Sequence, residues 1–117
     1  TLFNGTIGNC FSGNMNKFFL SIKRLMTLPD DTVIYAGHDY VLNSLTFARH
    51  LEPDNRDLDI FLKFYNAQNT VCSTLAQERK INPYLRFNEE TLIKILRKKD
   101  LPHASEWERW NSLMSIE

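Results

Sequence analysis

The chain lacks an excess of either charge: 14 Lys and Arg balance 14 Asp and Glu over 117 residues, for a formal net charge of zero. A polyanion binder needs a basic surplus to displace counterions from phosphates, so no nucleic-acid partner is expected. No apolar run is long enough to span a bilayer and no signal peptide is visible, so no membrane partner is expected either. Cysteine is scarce. Cys10 and Cys72 form neither a CxxC pair nor a zinc-ribbon spacing, which reads as two reduced thiols in a cytoplasmic protein rather than a disulfide framework. Histidine is scarce as well. His38, His50 and His103 make no HxH or HxxxH pair, whereas a zinc site takes three or four protein ligands. Ser12 does not sit in a GxSxG elbow, and the Gly-rich loop lacks the GK[ST] end of a P-loop. Internal repeats and low-complexity segments are missing too.

What is present is ordinary globular patterning, with 43% hydrophobic and 24% charged residues. Thr1-Leu2-Phe3 reads as the end of a strand, followed by a Gly- and Asn-rich loop from Asn4 to Gly13. Asn14 caps a helix whose stripe is Met15, Phe18, Phe19, Ile22, Leu25 and Met26, stopped at Pro29-Asp30-Asp31. Thr32 to Ala36 is β-rich and reads as a short buried strand ending in Gly37-His38-Asp39-Tyr40, a polar cluster where α/β folds often place chemistry. A second helix covers Val41 to Leu51 with Val41, Leu45 and Ala48 inward. Pro53-Asp54-Asn55 breaks it, and a third helix carries Leu58, Phe61, Leu62 and Tyr65 on one face. Residues 70–87 show weak periodicity and read as mostly extended.

A fourth helix starts near Asn88, with Glu89 and Glu90 at its start and Arg97, Lys98 and Lys99 at its end, matching the helix dipole. Ser105 and Glu108 make a capping box for a fifth, with Trp107, Trp110 and Met114 on its apolar face. The tryptophans read as core packing and the basic run as a solvated helix end. The expectation is thus an α+β, helix-rich chain of about five helices and two short strands. Two strands do not make a stable sheet alone, so partners from a further segment or another chain are expected. A His after a strand is more often structural than a ligand, but Gly37 permits a tight turn that projects the His38 imidazole into a cleft.

Several stretches then carry a resemblance: Phe11-Ser12-Gly13, Tyr35-Ala36-Gly37-His38-Asp39-Tyr40, Asn43 to Asn55, Ser73-Thr74-Leu75-Ala76-Gln77-Glu78 and Asn82-Pro83-Tyr84-Leu85-Arg86. In this order, and at close to this spacing, they resemble glyoxalase II, the hydroxyacylglutathione hydrolases of the metallo-β-lactamase superfamily. The resemblance implies residues 1–52 as the end of a metallo-β-lactamase-type domain and 53–117 as a helical substrate-binding domain. It implies a two-metal centre (zinc, or iron or manganese) that hydrolyses S-D-lactoylglutathione to glutathione and D-lactate. A metal-bound hydroxide would attack the acyl carbon while metal polarises the carbonyl.

By resemblance, His38 matches the family's last metal ligand and Tyr40 a position contacting the glutathione moiety. The remaining ligands belong to an N-terminal metal-binding portion outside the chain, so the chain alone is expected to bind no metal pair tightly and to be inactive. The same absence leaves an organellar address open beside the cytoplasmic one. The substrate positions depart from the family pattern. Asn9 aligns with a glutathione-binding Lys and Phe11 with a Tyr, while the Arg-x-x-Lys clamp for the glycine carboxylate falls on Met114 and Glu117. Arg97 and Lys99, one helix earlier, or Arg109 are the candidate substitutes. The small-molecule thioester is therefore expected to be a glutathione conjugate or one of another thiol. The alternatives are a non-catalytic helical interaction domain derived from the fold, or another metallo-β-lactamase-fold enzyme such as a persulfide dioxygenase.

Overall fold

The computed structural model describes residues 2–8, 13–36, 39–66 and 72–116. Leu2–Phe3 (β1) and Thr6–Ile7 (β2) form a tight antiparallel hairpin, pairing Leu2 with Ile7 and Phe3 with Thr6. Helix α1, Met15–Leu25, leads to Val33–Tyr35 (β3), and then come α2, Val41–Leu51, and α3, Arg56–Asn66. Cys72–Thr74 (β4) pairs antiparallel with β3, Ile34 lying opposite Ser73. Helix α4, Leu75–Ile81, follows at once, then a 3-10 turn at Pro83–Leu85, α5 at Glu90–Lys98 and α6 at Glu106–Ser115. Among the described residues the chain is α+β and helix-rich, with six α-helices and two small two-stranded sheets.

The helical stripes read from sequence face inward. Phe19 and Ile22 of α1 join Leu92 and Leu96 of α5 and Trp110 and Leu113 of α6 in the larger core. Phe18, Phe19, Phe87, Trp107 and Trp110 meet there at ring-centroid distances of 5.2–5.8 Å. A second cluster joins Val41, Leu45 and Ala48 of α2 to Leu58 and Phe61 of α3 and Ile81 of α4. Tyr84, between the layers, stacks on Phe47 at 6.0 Å, and burial pushes its phenol up.

Three expectations are corrected. Residues 70–87 are not mostly extended: 75–81 is helical. Thr74 and Gln77 form a reciprocal capping box, and the amides of Leu75 and Ala76 donate to the carbonyls of Thr32 and Asp30 at 2.8 and 2.9 Å. The helix was hard to see because its buried face is Leu75, Glu78 and Ile81, with a carboxylate in the middle of the apolar stripe. The strand at 33–35 is not buried, with Val33 50% and Tyr35 73% exposed. Among the described residues it has one hydrogen-bonded neighbour, β4. The loop after Phe3 is also partly strand, turning at Asn4-Gly5 into β2.

That turn is tied to α4. Both carboxylate oxygens of Glu78 accept from the Gly5 amide, at 2.9 and 3.1 Å. The same carboxylate accepts from Ser73 Oγ at 2.7 Å and Asn82 Nδ2 at 2.9 Å. Asn82 reaches on to the Thr6 carbonyl at 3.1 Å, and Asn4 Nδ2 donates to Ser73 Oγ at 2.6 Å and to the Ile34 carbonyl at 3.1 Å. Burial pushes the Glu78 carboxyl above its ordinary range, while the donors from Ser73, Asn82 and Gly5 pull it back down.

Gly5 has φ +81°, and a Cβ there would stand 3.2 Å from the Cβ of Ser44. Gly5→Ala combines a left-handed backbone with that contact and is expected to lower stability by about 1–3 kcal/mol in urea unfolding; a loss below a few tenths would show that the turn relaxes freely. For Glu78, a carboxyl that holds its proton more tightly folded than unfolded gives a folded state that binds more protons between the two pKa values. Stability attributable to it therefore falls as pH rises from the ordinary glutamate range towards the raised folded value. Glu78→Gln should destabilise at every pH, because one amide group cannot accept from all three donors. Its cost should shrink as pH rises through that window. A cost that grows with pH would mean the hydrogen bonds outweigh burial.

Candidate functional site at the 39–40 loop

Of the chemistry-bearing residues singled out in the sequence, Asp39 and Tyr40 are described on the connection between β3 and α2. His38, Asn9 and Phe11, like Cys10 and Glu117, lie outside the described residues. Asp39 and Tyr40 form the entry to α2. Tyr40 is the residue preceding the helix, with φ −110° and ψ 14°, and its own side chain makes no capping bond. Asp39 does that work: its Oδ1 accepts from the Val41 amide at 3.1 Å. The Tyr40 carbonyl accepts from the Ser44 amide at 2.9 Å and Ser44 Oγ at 2.7 Å. The Tyr40 ring, 44% exposed, meets Phe3 of β1 edge-on, with centroids 5.3 Å apart and planes at 74°.

One participant was not foreseen as part of the site. Tyr65, near the end of α3, donates its hydroxyl to Asp39 Oδ2 at 2.6 Å. That bond, followed by burial and the carboxylate charge, pushes the Tyr65 phenol above its ordinary value, as expected of a hydroxyl that donates to a carboxylate. In the sequence Tyr65 carries only the signal of a helix face. A polar tip on the last residue of an apolar stripe was the available hint, since such tips find partners.

The proposed carboxylate clamps separate clearly. Arg109 is a structural tie: its Nε donates to the Phe87 carbonyl at 3.0 Å, Nη1 to the His103 carbonyl at 3.2 Å and Nη2 to Asn88 Oδ1 at 2.6 Å. Met114 packs against the larger core. Arg97 and Lys99 are exposed at the end of α5. His50 is exposed in the last turn of α2, and His103 Nδ1 lies 2.8 Å from the Leu101 carbonyl. Among the described residues no three His, Cys, Asp or Glu side chains stand close enough to hold a metal ion, and no helix is long and apolar enough to cross a membrane.

A cleft of about 630 Å³ lies at the other end of α2, lined by Glu52, Arg56, Arg86, Thr91 and Lys98 among others. The 11 residues of α2 put roughly 16 Å between this cleft and the Tyr40 loop. Its centre is structural: the nearly buried Arg86 pairs with Glu52, which also accepts from Thr91 Oγ1 at 2.6 Å.

The comparisons bear on the loop directly. Residues 39–115 match the family model for the hydroxyacylglutathione hydrolase C-terminus. Hydroxyacylglutathione hydrolase of Psychromonas ingrahamii is 38% identical over 98 residues, covering 80% of this chain and 38% of that protein. The protein of the same name from Chromohalobacter salexigens is 42% identical over 101 residues, covering 82% and 40%. That of Neisseria meningitidis serogroup A is 41% identical over 86 residues, covering 74% and 34%. The chain thus spans two-fifths or less of the length of these relatives. By the match of its residues 39–115, the chain belongs to the hydroxyacylglutathione hydrolase C-terminal family.

Proposed function

We propose that the chain is the substrate-orienting C-terminal part of a hydrolase acting on hydroxyacyl thioesters of glutathione. The observation that carries this reading is the match of residues 39–115 to the hydroxyacylglutathione hydrolase C-terminus, a stretch that includes Asp39 and Tyr40 of the loop tied to α2 and α3. In this reading Tyr40 contacts the thiol moiety, and Asn9 and Phe11 are further substrate-binding positions. His38 is one ligand of a two-metal centre, of zinc, iron or manganese, whose other donors come from an N-terminal portion. The part played by this chain is to bind and orient the thiol, and alone it is inactive.

The exposed apolar face of β3 supports that division. Val33 and Tyr35, with Leu28 beside them at 42% exposure, form a surface that the N-terminal portion would cover. The division at 52/53 follows the break between α2 and α3, where Glu52 ends the first helix and Pro53 begins the turn.

A second reading concerns the thiol. With Arg109 consumed by three acceptors and Met114 packed in the core, a carboxylate clamp from α6 is not available, and Arg97 and Lys99 stand on another helix. A thiol conjugate without the glycine carboxylate would then be hydrolysed as well as the glutathione thioester. The rival to both is a non-catalytic interaction domain.

The test is thiol release from S-D-lactoylglutathione by the longer protein that contains this chain, beside the same thioester with its glycine carboxylate blocked. Hydrolysis is expected. Comparable kcat/KM on the two substrates favours the second reading, and strong preference for the free carboxylate favours the glutathione clamp. No hydrolysis of either removes the hydrolase reading. Tyr40→Phe, which deletes one hydroxyl contact, is expected to raise KM about 3–10-fold with kcat little changed, as for a lost hydrogen bond of about 1 kcal/mol. An unchanged KM would take Tyr40 out of the binding surface.

A further inference from the structure

We propose that Tyr65 is a positioning residue for the substrate-facing loop, acting through Asp39 to hold Tyr40 in its binding orientation. The proposal rests on the hydrolase reading for what Tyr40 binds, but the restraint itself stands on geometry.

Asp39 is bidentate in function. One oxygen takes the first amide of α2, from Val41 at 3.1 Å, and the other takes the Tyr65 hydroxyl at 2.6 Å. The two donors come from different helices, so the carboxylate plane is set by both. Tyr40, next in sequence, has its carbonyl held by two donors from Ser44 at 2.7 and 2.9 Å. Its ring meets Phe3 edge-on at 5.3 Å. The carbonyl side of residue 40 is therefore pinned by α2 itself, whereas its amide side is joined through one peptide to Asp39, which α2 and α3 hold together.

Without Tyr65, the Asp39 carboxylate loses its tie to α3, and the bond from the Val41 amide does not by itself fix rotation of that carboxylate or of the peptide joining it to Tyr40. The α2–α3 contact does not need this hydroxyl, because Val41, Leu45 and Ala48 already pack on Leu58 and Phe61. A staple between helices would act mainly on stability. A positioning bond acts mainly on the loop.

The experiment is Tyr65→Phe in the longer protein that contains this chain, which removes the hydroxyl and keeps the ring. KM for S-D-lactoylglutathione should rise about 3–10-fold with kcat within about twofold, and the thermal midpoint should move by no more than about 2 °C. Amide exchange of the peptide covering residues 39–44 should quicken severalfold while that of α3 stays unchanged. An unchanged KM in the presence of activity, or a fall in kcat at constant KM, overturns the proposal. So does a drop in midpoint above about 5 °C with exchange raised throughout α2 and α3, which marks a staple. If the unsubstituted protein hydrolyses no such thioester, the functional reading fails by itself. The exchange measurement then decides the restraint: faster exchange at 39–44 supports it, and unchanged exchange overturns it.

Discussion

A fully buried carboxylate holds the described structure together. Glu78 receives hydrogen bonds from the Gly5 amide, Ser73 and Asn82, so its carboxyl oxygens are satisfied by the protein instead of by water. One donor comes from far away in sequence, Gly5 of the first hairpin, and two from close by, Ser73 of β4 and Asn82 at the end of α4. A carboxyl buried in such a place is tolerated only if its hydrogen-bond partners are present together, which makes the network cooperative. The β1–β2 hairpin needs this anchor more than most. It has two residues in each strand, too few to hold a register by themselves.

From this anchor a chain of contacts leads to the 39–40 loop. Glu78 holds the Gly5 amide, and Gly5 lies so close to Ser44 that a side chain there would touch it. Ser44 in turn donates to the Tyr40 carbonyl. The same hairpin carries Phe3, whose ring meets Tyr40. The loop that bears the candidate binding residue thus inherits its place from packing and from a buried network over 30 residues away in sequence. Tyr65 adds a tie from α3 through Asp39. Binding residues on loops need rigid support of this kind, since a displacement of an ångström loses much of the orientation that binding provides.

How much of this was legible in sequence follows from the kind of interaction involved. Helices α1, α2 and α6 were readable because Phe19 and Ile22, Val41 and Leu45, and Trp110 recur with helical period, and α1 and α6 also have recognisable caps. Helix α4 was not, because Glu78 occupies a core position and breaks the apolar count, although Thr74 and Gln77 were written there as a cap. The Asp39-Tyr40 pair was legible as a strand-end cluster. The partner from Tyr65 was not, since it joins residues 26 apart across a tertiary contact that periodicity does not encode. Arg109 shows the converse. A lone arginine on an apolar helix resembles a ligand clamp in sequence, and only the structure reveals that its guanidinium is spent on Phe87, His103 and Asn88.

That last case bears on specificity. An arginine can hold a carboxylate by two parallel bonds only when its fork is free and its plane can turn towards the ligand. In Arg109 each of the three nitrogens already donates to a fixed acceptor, two of them backbone carbonyls, so turning it outward would leave buried or half-buried acceptors without a donor. The α5–α6 connection is built on that guanidinium: it bridges the turn before α5 and the segment that enters α6. Evolution of a glutathione clamp on this scaffold would need a cation not already committed to the fold, and the exposed Arg97 and Lys99 meet that condition on the neighbouring helix. The charge available for a substrate carboxylate is therefore set by which cations the packing leaves uncommitted.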